Sequence, residues 1–216
     1  MSSLLRLVVL AVIATASSVA IAKRLETQAA PRIASDELME VVRTLASPAY
    51  QGRRTGTEGN KRARAYLLDQ FAKTKLRPIG AGYAFPFRVT RSSKSGADGE
   101  RAELDGVNLV GVCHGTGAAD NGAMVISAHY DHVGVRAGAV YPGADDNASG
   151  VATLLALARY CTTAPWTHDA VFAAFDAEES GLQGARAFVS EPPISRGQKS
   201  NGMFIAGSIT VFEPSL

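Results

Sequence analysis

Cysteine and histidine are scarce in this chain, which has two cysteines and four histidines among 216 residues. Cys113 and Cys161 lie far apart and in no CxxC pattern, so the sequence contains neither a disulfide framework nor a cysteine zinc site. We expect both to be small buried side chains, with a single disulfide as the less favoured alternative. Charge of one sign is also lacking, because 22 basic residues stand against 20 acidic ones. This balance does not favour nucleic acid or an anionic membrane as a partner.

The N-terminus has the pattern of an export signal. After Arg6 comes the apolar stretch LVVLAVIATASSVAIA, which ends in Ala20-Ile21-Ala22 just before Lys23. The stretch is short for a membrane span, which needs at least about 17 apolar residues. We therefore predict a signal peptide over residues 1–22 and a secreted or periplasmic protein with no stable membrane insertion after cleavage. An uncleaved anchor is the alternative.

Hydrophobic periodicity predicts helices and strands in alternation. Helical spacing marks two amphipathic helices around the polar turn YQGRRTGTEGNK, and a third begins after Ser149, whose hydroxyl is expected to cap it. Apolar runs at 107–112, 124–128 and 170–175 predict buried strands, and a last helix is expected over 181–189. The chain is therefore expected to be α/β, a three-layer sandwich with a mixed, largely parallel sheet flanked by helices.

Three polar clusters lie where the predicted strands end or a helix begins, which is where α/β sheets form their sites. The clusters are His129 with Asp131, Asp145 with Asp146, and Glu178 with Glu179. Adjacent carboxylates at a buried strand end repel each other and lose hydration, which costs several kcal/mol per ion without compensation. A shared metal cation would compensate all three clusters at once.

The spacing of the first cluster favours a metal site, although each cluster also has an ordinary explanation. In extended chain His129 and Asp131 emerge on one face, about 6.6 Å apart, so that Asp131 can hold one imidazole nitrogen while the other meets a metal. Alternatively, His129 is a hydrogen-bonded core histidine, the paired aspartates and Asn147 form a helix N-terminus, and the paired glutamates form a solvated turn. Only the three clusters together favour the metal.

Three motifs in the same order resemble those of metallopeptidase family twenty-eight: SAHYDHVG, YPGADDNASGVATLLALAR and FAAFDAEESGLQGARAFV. The earlier LASPAYQGRRTGTEGNKRARAYL is similar to the lead-in of bacterial members, so the resemblance runs from about Ser35 to Pro193. The family includes secreted bacterial leucyl aminopeptidases and glutamate carboxypeptidase. The resemblance implies that the protein is an exopeptidase of the aminopeptidase type. Such an enzyme would bind two zinc ions and hydrolyse peptide substrates with a zinc-activated water.

The resemblance also implies roles for individual residues, with His129, Asp145 and Glu179 as metal ligands and Glu178 and Asp131 as catalytic residues. His129 would bind one zinc, Asp145 would bridge both, and Glu179 would bind the other. Glu178 would be the general base, and Asp131 would support His129 from behind. Asp146 would help to shape a loop that in this family often contains a cis peptide.

The C-terminal part departs from the family pattern. The family has a third acidic ligand and a late histidine, but no aspartate follows Asp176 and no histidine follows His168. Catalytic zinc normally has three protein ligands, so zinc binding by this chain is expected to be weak or absent.

We expect a signal peptide (1–22), lead-in helices and loop (23–105), the core of a zinc peptidase domain that is incomplete at its C-terminal side (106–194), and an atypical tail (195–216). The chain would be a truncated or frame-shifted member; an inactive fragment or a binding module of the same fold is the alternative.

Overall fold

The structure, a computed structural model, describes residues 33–92, 101–117, 123–163, 166–193 and 204–205. The helices are α1 (Ser35–Leu45), α2 (Glu58–Lys73), α3 (Gly150–Cys161) and α4 (Gln183–Ser190), with a 3₁₀ segment at Pro48–Arg53 and a wide helical turn at Ala144–Ser149. The strands are β1 (Arg77–Pro78), β2 (Ala84–Ser92), β3 (Arg101–Cys113), β4 (Ala123–His129), β5 (Gly134–Arg136), β6 (Ala139–Tyr141), β7 (Asp169–Phe175) and β8 (Phe204–Ile205). These elements belong to one unit, Ile33–Leu216.

Six strands form a mixed sheet in the order β1-β3-β7-β4-β8, with β2 paired to β3. Strand β3 is antiparallel to β1, β2 and β7, whereas β4 is parallel to β7 and β8. The predicted mixed sheet flanked by helices is confirmed. Among the described strands, β4 makes the two parallel pairings, with β7 and β8, and the other three pairings of the sheet are antiparallel. Strands β5 and β6 form a separate hairpin.

Different helices cover the two faces of the sheet because side chains alternate along β7. On one face, Phe172 and the residues two positions away on either side pack with residues of α1, α2 and α3, among them Leu45, Leu67 and Leu154. Val171 and Phe175 pack on the other face with Phe188 of α4. Burial of each such large side chain stabilises the fold by about 1.5–3 kcal/mol. This packing produces the three layers and holds the carboxyl end of β7 in place.

Cys113 and Cys161 form a disulfide that joins the end of β3 to the end of α3. The expectation that they are unpaired is wrong, although both side chains are buried as expected, with exposures of 5% and 3%. Sequence spacing could not reveal the pair, because the packing of α3 on the sheet brings the two Cα atoms to 6.2 Å, a separation that a disulfide bridges.

The cap of α3 is Asn147, and the predicted cap by Ser149 is wrong. The Gly150 N–H donates to Oδ1 of Asn147 at 3.0 Å, whereas the Ser149 hydroxyl donates to the main-chain oxygen of Asp145 at 2.7 Å. The reason is the wide helical turn before α3, in which Ser149 already has helical backbone angles (φ −65°, ψ −44°). An N-cap residue has a non-helical backbone, which Asn147 has (φ −136°, ψ 45°) and Ser149 does not.

The predicted signal peptide, residues 1–22, and all of the predicted tail except 204–205 lie outside the described residues. Strand β3 runs across the predicted boundary between residues 105 and 106. In the described ranges, no helix combines the length and the apolar character needed to cross a bilayer.

Candidate metal and catalytic site

The parallel pairing of β4 and β7 brings their carboxyl ends to one edge of the sheet. His129, the last residue of β4, is the register partner of Phe175, the last residue of β7. The pairing continues one residue further, because the Tyr130 N–H donates to the Phe175 carbonyl at 2.9 Å. The residues that follow each strand therefore meet at this edge, as ligand-binding residues do in α/β sheets.

The His129 ring lies buried at the centre of this edge, with 6% of its side chain exposed. Its Nδ1 is 3.1 Å from the main-chain oxygen of Asp131, and because a carbonyl only accepts, Nδ1 carries the proton. Nε2 then faces Asp146 Oδ1 at 3.0 Å and Glu178 Oε2 at 4.0 Å. Burial lowers the pKa of His129, but the hydrogen bond and charge of Asp131 and the charges of Glu178 and Asp146 raise it above the ordinary value. A cation, either a proton or a metal, is therefore favoured between Nε2 and these carboxylates.

The Asp131 carboxylate fixes the turn that follows β7. It is 1% exposed, and its two oxygens accept the main-chain N–H groups of Glu178 at 3.0 Å and Glu179 at 3.2 Å. Its Oδ1 is 3.6 Å from His129 Nδ1, so the closer contact with the imidazole is made by its main-chain oxygen. Asp131 therefore orients the histidine and both glutamates together.

A second group of possible ligands lies beside the first. His132 Nδ1 is 2.6 Å from Glu179 Oε1 and 3.7 Å from Asp146 Oδ2. The ligand atoms of these three residues all lie within 4.8 Å of one another. The Asp146 carboxylate thus has one oxygen toward His129 and the other toward His132, and its side chain is 62% exposed, so the site is open to solvent on this side.

The structure brings together His129, Asp131, Glu178 and Glu179 of the predicted site residues, but not Asp145. In the described ranges, the ion pairs of His129 and His132 are made with Asp131, Asp146, Glu178 and Glu179. The peptide bond between Asp146 and Asn147 is cis. The aspartate beside the histidines is therefore Asp146, one residue after the predicted one.

Glu178 is the carboxylate best suited to exchange a proton. Its side chain is 36% exposed at the rim of the site. Burial raises its pKa, and the charges of Asp131, Glu179 and Asp146 raise it further, while the charge of His129 opposes them. A general base works best when its pKa lies near the working pH, so a raised pKa makes the Glu178 carboxylate better suited to this role at neutral pH.

Sequence patterns do not indicate that Arg53 supports this site, because they predict a polar turn for the stretch in which it lies. Its side chain is fully buried. The guanidinium donates to the carbonyls of Leu45 at 2.6 Å, Tyr130 at 2.8 Å, Pro142 at 2.7 Å and Gly143 at 2.8 Å. Burial lowers its pKa to about 10, so it remains charged at neutral pH. Arg53 thereby connects α1, the end of β4 and the loop before Asp146.

A buried network centred on Asp176 supports the same edge. The Asp176 carboxylate accepts from Thr55 Oγ1 at 2.8 Å, Asn60 Nδ2 at 3.0 Å and the Tyr130 hydroxyl at 3.0 Å. Thr55 and Asn60 lie in the same predicted polar turn as Arg53. Sequence patterns mark polar residues as exposed by default, so the burial of Thr55 and Asn60, like that of Arg53, could not be predicted from the sequence.

The fold and the site together define an α/β protein in which histidines and carboxylates converge as they do around divalent cations. Residues 108–205, from β3 to β8, match the model of peptidase family M28. This match confirms the resemblance found in the sequence.

Similar proteins include a vacuolar membrane protease of Schizophyllum commune, 35% identical over 130 residues, which are 58% of this chain and 14% of that protein. Aminopeptidase YwaD of Bacillus subtilis is 31% identical over 104 residues, which are 47% of this chain and 22% of YwaD. The chain thus spans less than a quarter of either relative. The crystal structure of the zinc aminopeptidase BSAP from Bacillus subtilis superposes with a TM-score of 0.63 at 15% identity, covering 79% of this chain and 68% of that one, and shows that the two share a fold.

Proposed function

We propose that this chain carries the site of a zinc-dependent aminopeptidase that hydrolyses the N-terminal bond of peptides. The observation that carries the proposal is the approach of His129 Nε2 to Asp146 Oδ1 at 3.0 Å and Glu178 Oε2 at 4.0 Å, beside the pair of His132 and Glu179. The match of residues 108–205 to a peptidase family and the names of YwaD and BSAP support the reaction class.

The donor set fits zinc. Zinc in proteins is bound by imidazole nitrogen and carboxylate oxygen, and both meet here at a partly exposed edge. The electron pair of His129 Nε2 faces a carboxylate, an arrangement that a cation between them would make favourable. We propose that His129, Asp146 and Glu179 would hold the metal, with Asp146 in place of the predicted Asp145.

Zinc, when bound at such a site, acts as a Lewis acid and makes a nucleophile available from water near neutral pH. Glu178 would take the proton from the attacking water and return it to the leaving amine. Asp131 would keep Glu178 and Glu179 in place through its two main-chain hydrogen bonds. The adjacent glutamates would then have different roles, one as a ligand and the other as the base.

The space beside the site suits a peptide. A cavity of about 560 Å³ lies against His132 and Glu179, and Arg54, Thr90 and Arg136 also line it. Substrate pockets commonly have volumes of about 300–1,000 Å³. The cavity is open to solvent, as an exopeptidase that admits chain ends requires.

The test is hydrolysis of aminoacyl and dipeptidyl chromogenic substrates by the full chain after addition of zinc. The ligands recognised in the sequence alone predict weak or absent zinc binding, but the fold adds Asp146 and His132 to the site. We therefore expect turnover that a chelator abolishes and that the Glu178→Gln variant lowers by about 10²–10⁴-fold, the usual contribution of a general base. Zinc content, measured by mass spectrometry, should be unchanged in that variant.

The matched control is Glu40→Gln, the same change at an exposed glutamate of α1, which should leave turnover unchanged. Turnover by Glu178→Gln equal to that of the unaltered chain would remove Glu178 as the base. Zinc bound without hydrolysis of any substrate would favour the non-catalytic binding module.

A further inference from the structure

We infer that His132 is itself a metal ligand, and that His132, Asp146 and Glu179 form a three-ligand site for a divalent cation. The family resemblance assigned no role to His132 and implied a histidine much later in the chain. All three proposed ligands lie between residues 132 and 179. The choice of zinc as the cation rests on the proposed function, whereas the site itself rests on the geometry of these three side chains.

The three ligand atoms lie within 4.8 Å of one another, close enough for one cation to contact all of them after small side-chain adjustments. Zinc–nitrogen and zinc–oxygen bonds of about 2.0–2.2 Å place neighbouring ligand atoms about 3.3–3.6 Å apart. His132 Nδ1 lies 2.6 Å from Glu179 Oε1 and 3.7 Å from Asp146 Oδ2, on either side of that range. Small rotations of the glutamate side chain would bring all three atoms to bonding distance of one ion.

His132 Nδ1 is also a buried polar atom without a hydrogen bond among the described residues. Glu179 Oε1 lies 2.6 Å from this nitrogen, but the contact is an ion-pair approach and not a hydrogen bond. A buried ring nitrogen left without a hydrogen bond destabilises the folded state. A cation bound between His132 and the two carboxylates would satisfy this nitrogen.

The backbone holds the His132 ring in this position. Gly143 has a left-handed backbone (φ +56°), and a Cβ there would overlap Cδ2 of the His132 ring and the main-chain oxygen of Asp146. The Gly143 carbonyl is in turn held by Arg53 Nη2 at 2.8 Å, and the His132 N–H lies 3.4 Å from the Arg53 carbonyl. The ring is therefore seated against the loop that carries Asp146, independently of any ion.

A simple ion pair, in which His132 only holds Glu179 in place, is the competing explanation. Substitution of His132 by cysteine distinguishes the two explanations. A thiolate that binds cobalt directly gives an intense sulfur-to-cobalt absorption band, whereas a residue that only positions Glu179 would give no such band. The control is His114, which is 49% exposed and pairs with Asp169 at the start of β7, the opposite end of the strand from the site.

The experiment is titration of the full chain with Co²⁺ alone, followed by absorption spectroscopy and calorimetry. We expect His132→Cys to gain the sulfur-to-cobalt band, and His132→Ala to bind one cobalt fewer than the unaltered chain. His114→Cys and His114→Ala should show neither change. Circular dichroism of each variant establishes that it is folded.

The inference is overturned if folded His132→Cys shows no band, if His132→Ala retains full stoichiometry and affinity, or if the unaltered chain binds no cobalt. None of these readouts depends on hydrolysis. A chain that shows the band but cleaves no substrate would contradict the proposed function and leave the ligand role of His132 intact.

Discussion

Single residues at the edge of the sheet have divided roles. Asp131 presents its main-chain oxygen to His129 and its carboxylate to the N–H groups of Glu178 and Glu179. A single side chain therefore couples the end of β4 to the turn after β7. Because a buried carboxylate is stabilised by such hydrogen bonds, the arrangement also offsets the cost of burying Asp131.

Asp145 and Asp146 provide a matched pair of variants. We expect Asp146→Asn to weaken zinc binding by at least about 100-fold, since altering even the groups that support a ligand costs about 10–100-fold. The physical reason is the loss of a negative charge whose two oxygens lie next to His129 and His132. Asp145→Asn should bind zinc as the unaltered chain does, and calorimetric titration measures both. Equal weakening in the two variants, or weakening by Asp145→Asn alone, would restore the assignment made from the sequence.

The elements around the site are joined by the short segment Pro48–Arg53. Its last side chain donates to carbonyls in α1, after β4 and in the loop before Asp146. Three elements that are distant in sequence thus share one guanidinium. This segment positions the site without contributing a proposed ligand.

We expect Arg53→Met to lower the free energy of unfolding by at least about 3 kcal/mol, because each buried carbonyl left without a donor costs about 1–3 kcal/mol. Arg54→Met is the matched control, since the neighbouring side chain is exposed and a surface change usually stays within about 0.5 kcal/mol. Urea denaturation of both variants measures the difference. Similar unfolding midpoints for the two would show that the buried hydrogen bonds of Arg53 contribute little.

At the scale of the whole molecule, the disulfide joins the sheet to the helical layer. Cys113 ends β3 and Cys161 ends α3, and the two positions are separated by 48 in sequence. Disulfides persist in oxidising compartments, which agrees with the export predicted from residues 1–22.

Reduction of this disulfide should lower the free energy of unfolding by about 2–4 kcal/mol, because the reduced chain regains conformational entropy in the unfolded state. Denaturation with and without a reductant measures the effect. A variant with both cysteines changed to alanine serves as the control and should not respond to the reductant. If the unaltered chain does not respond either, or if its thiols titrate as free under denaturing conditions without reductant, the bond does not form.

Most of the fold could be predicted from the sequence because apolar periodicity reports which face of an element is buried. The run 170–175 is buried on both faces of the sheet, and β7 is found at Asp169–Phe175. The spacing of Leu38, Val41 and Leu45 likewise predicts α1. Polar residues carry no such signal, so the burial of Arg53 and Asn60 could not be recognised.

The sequence by itself determined which residue types could meet a cation and in which order along the chain, because motifs and strand ends are local properties. Only the tertiary structure decided that Asp146 and not Asp145 faces the histidines, that His132 joins Glu179, and that the two cysteines pair. Each of these depends on the direction in which a side chain leaves the backbone and on what packs opposite it. Backbone direction in the turn Ala144–Ser149 and the docking of α3 are set by contacts between residues far apart in the chain.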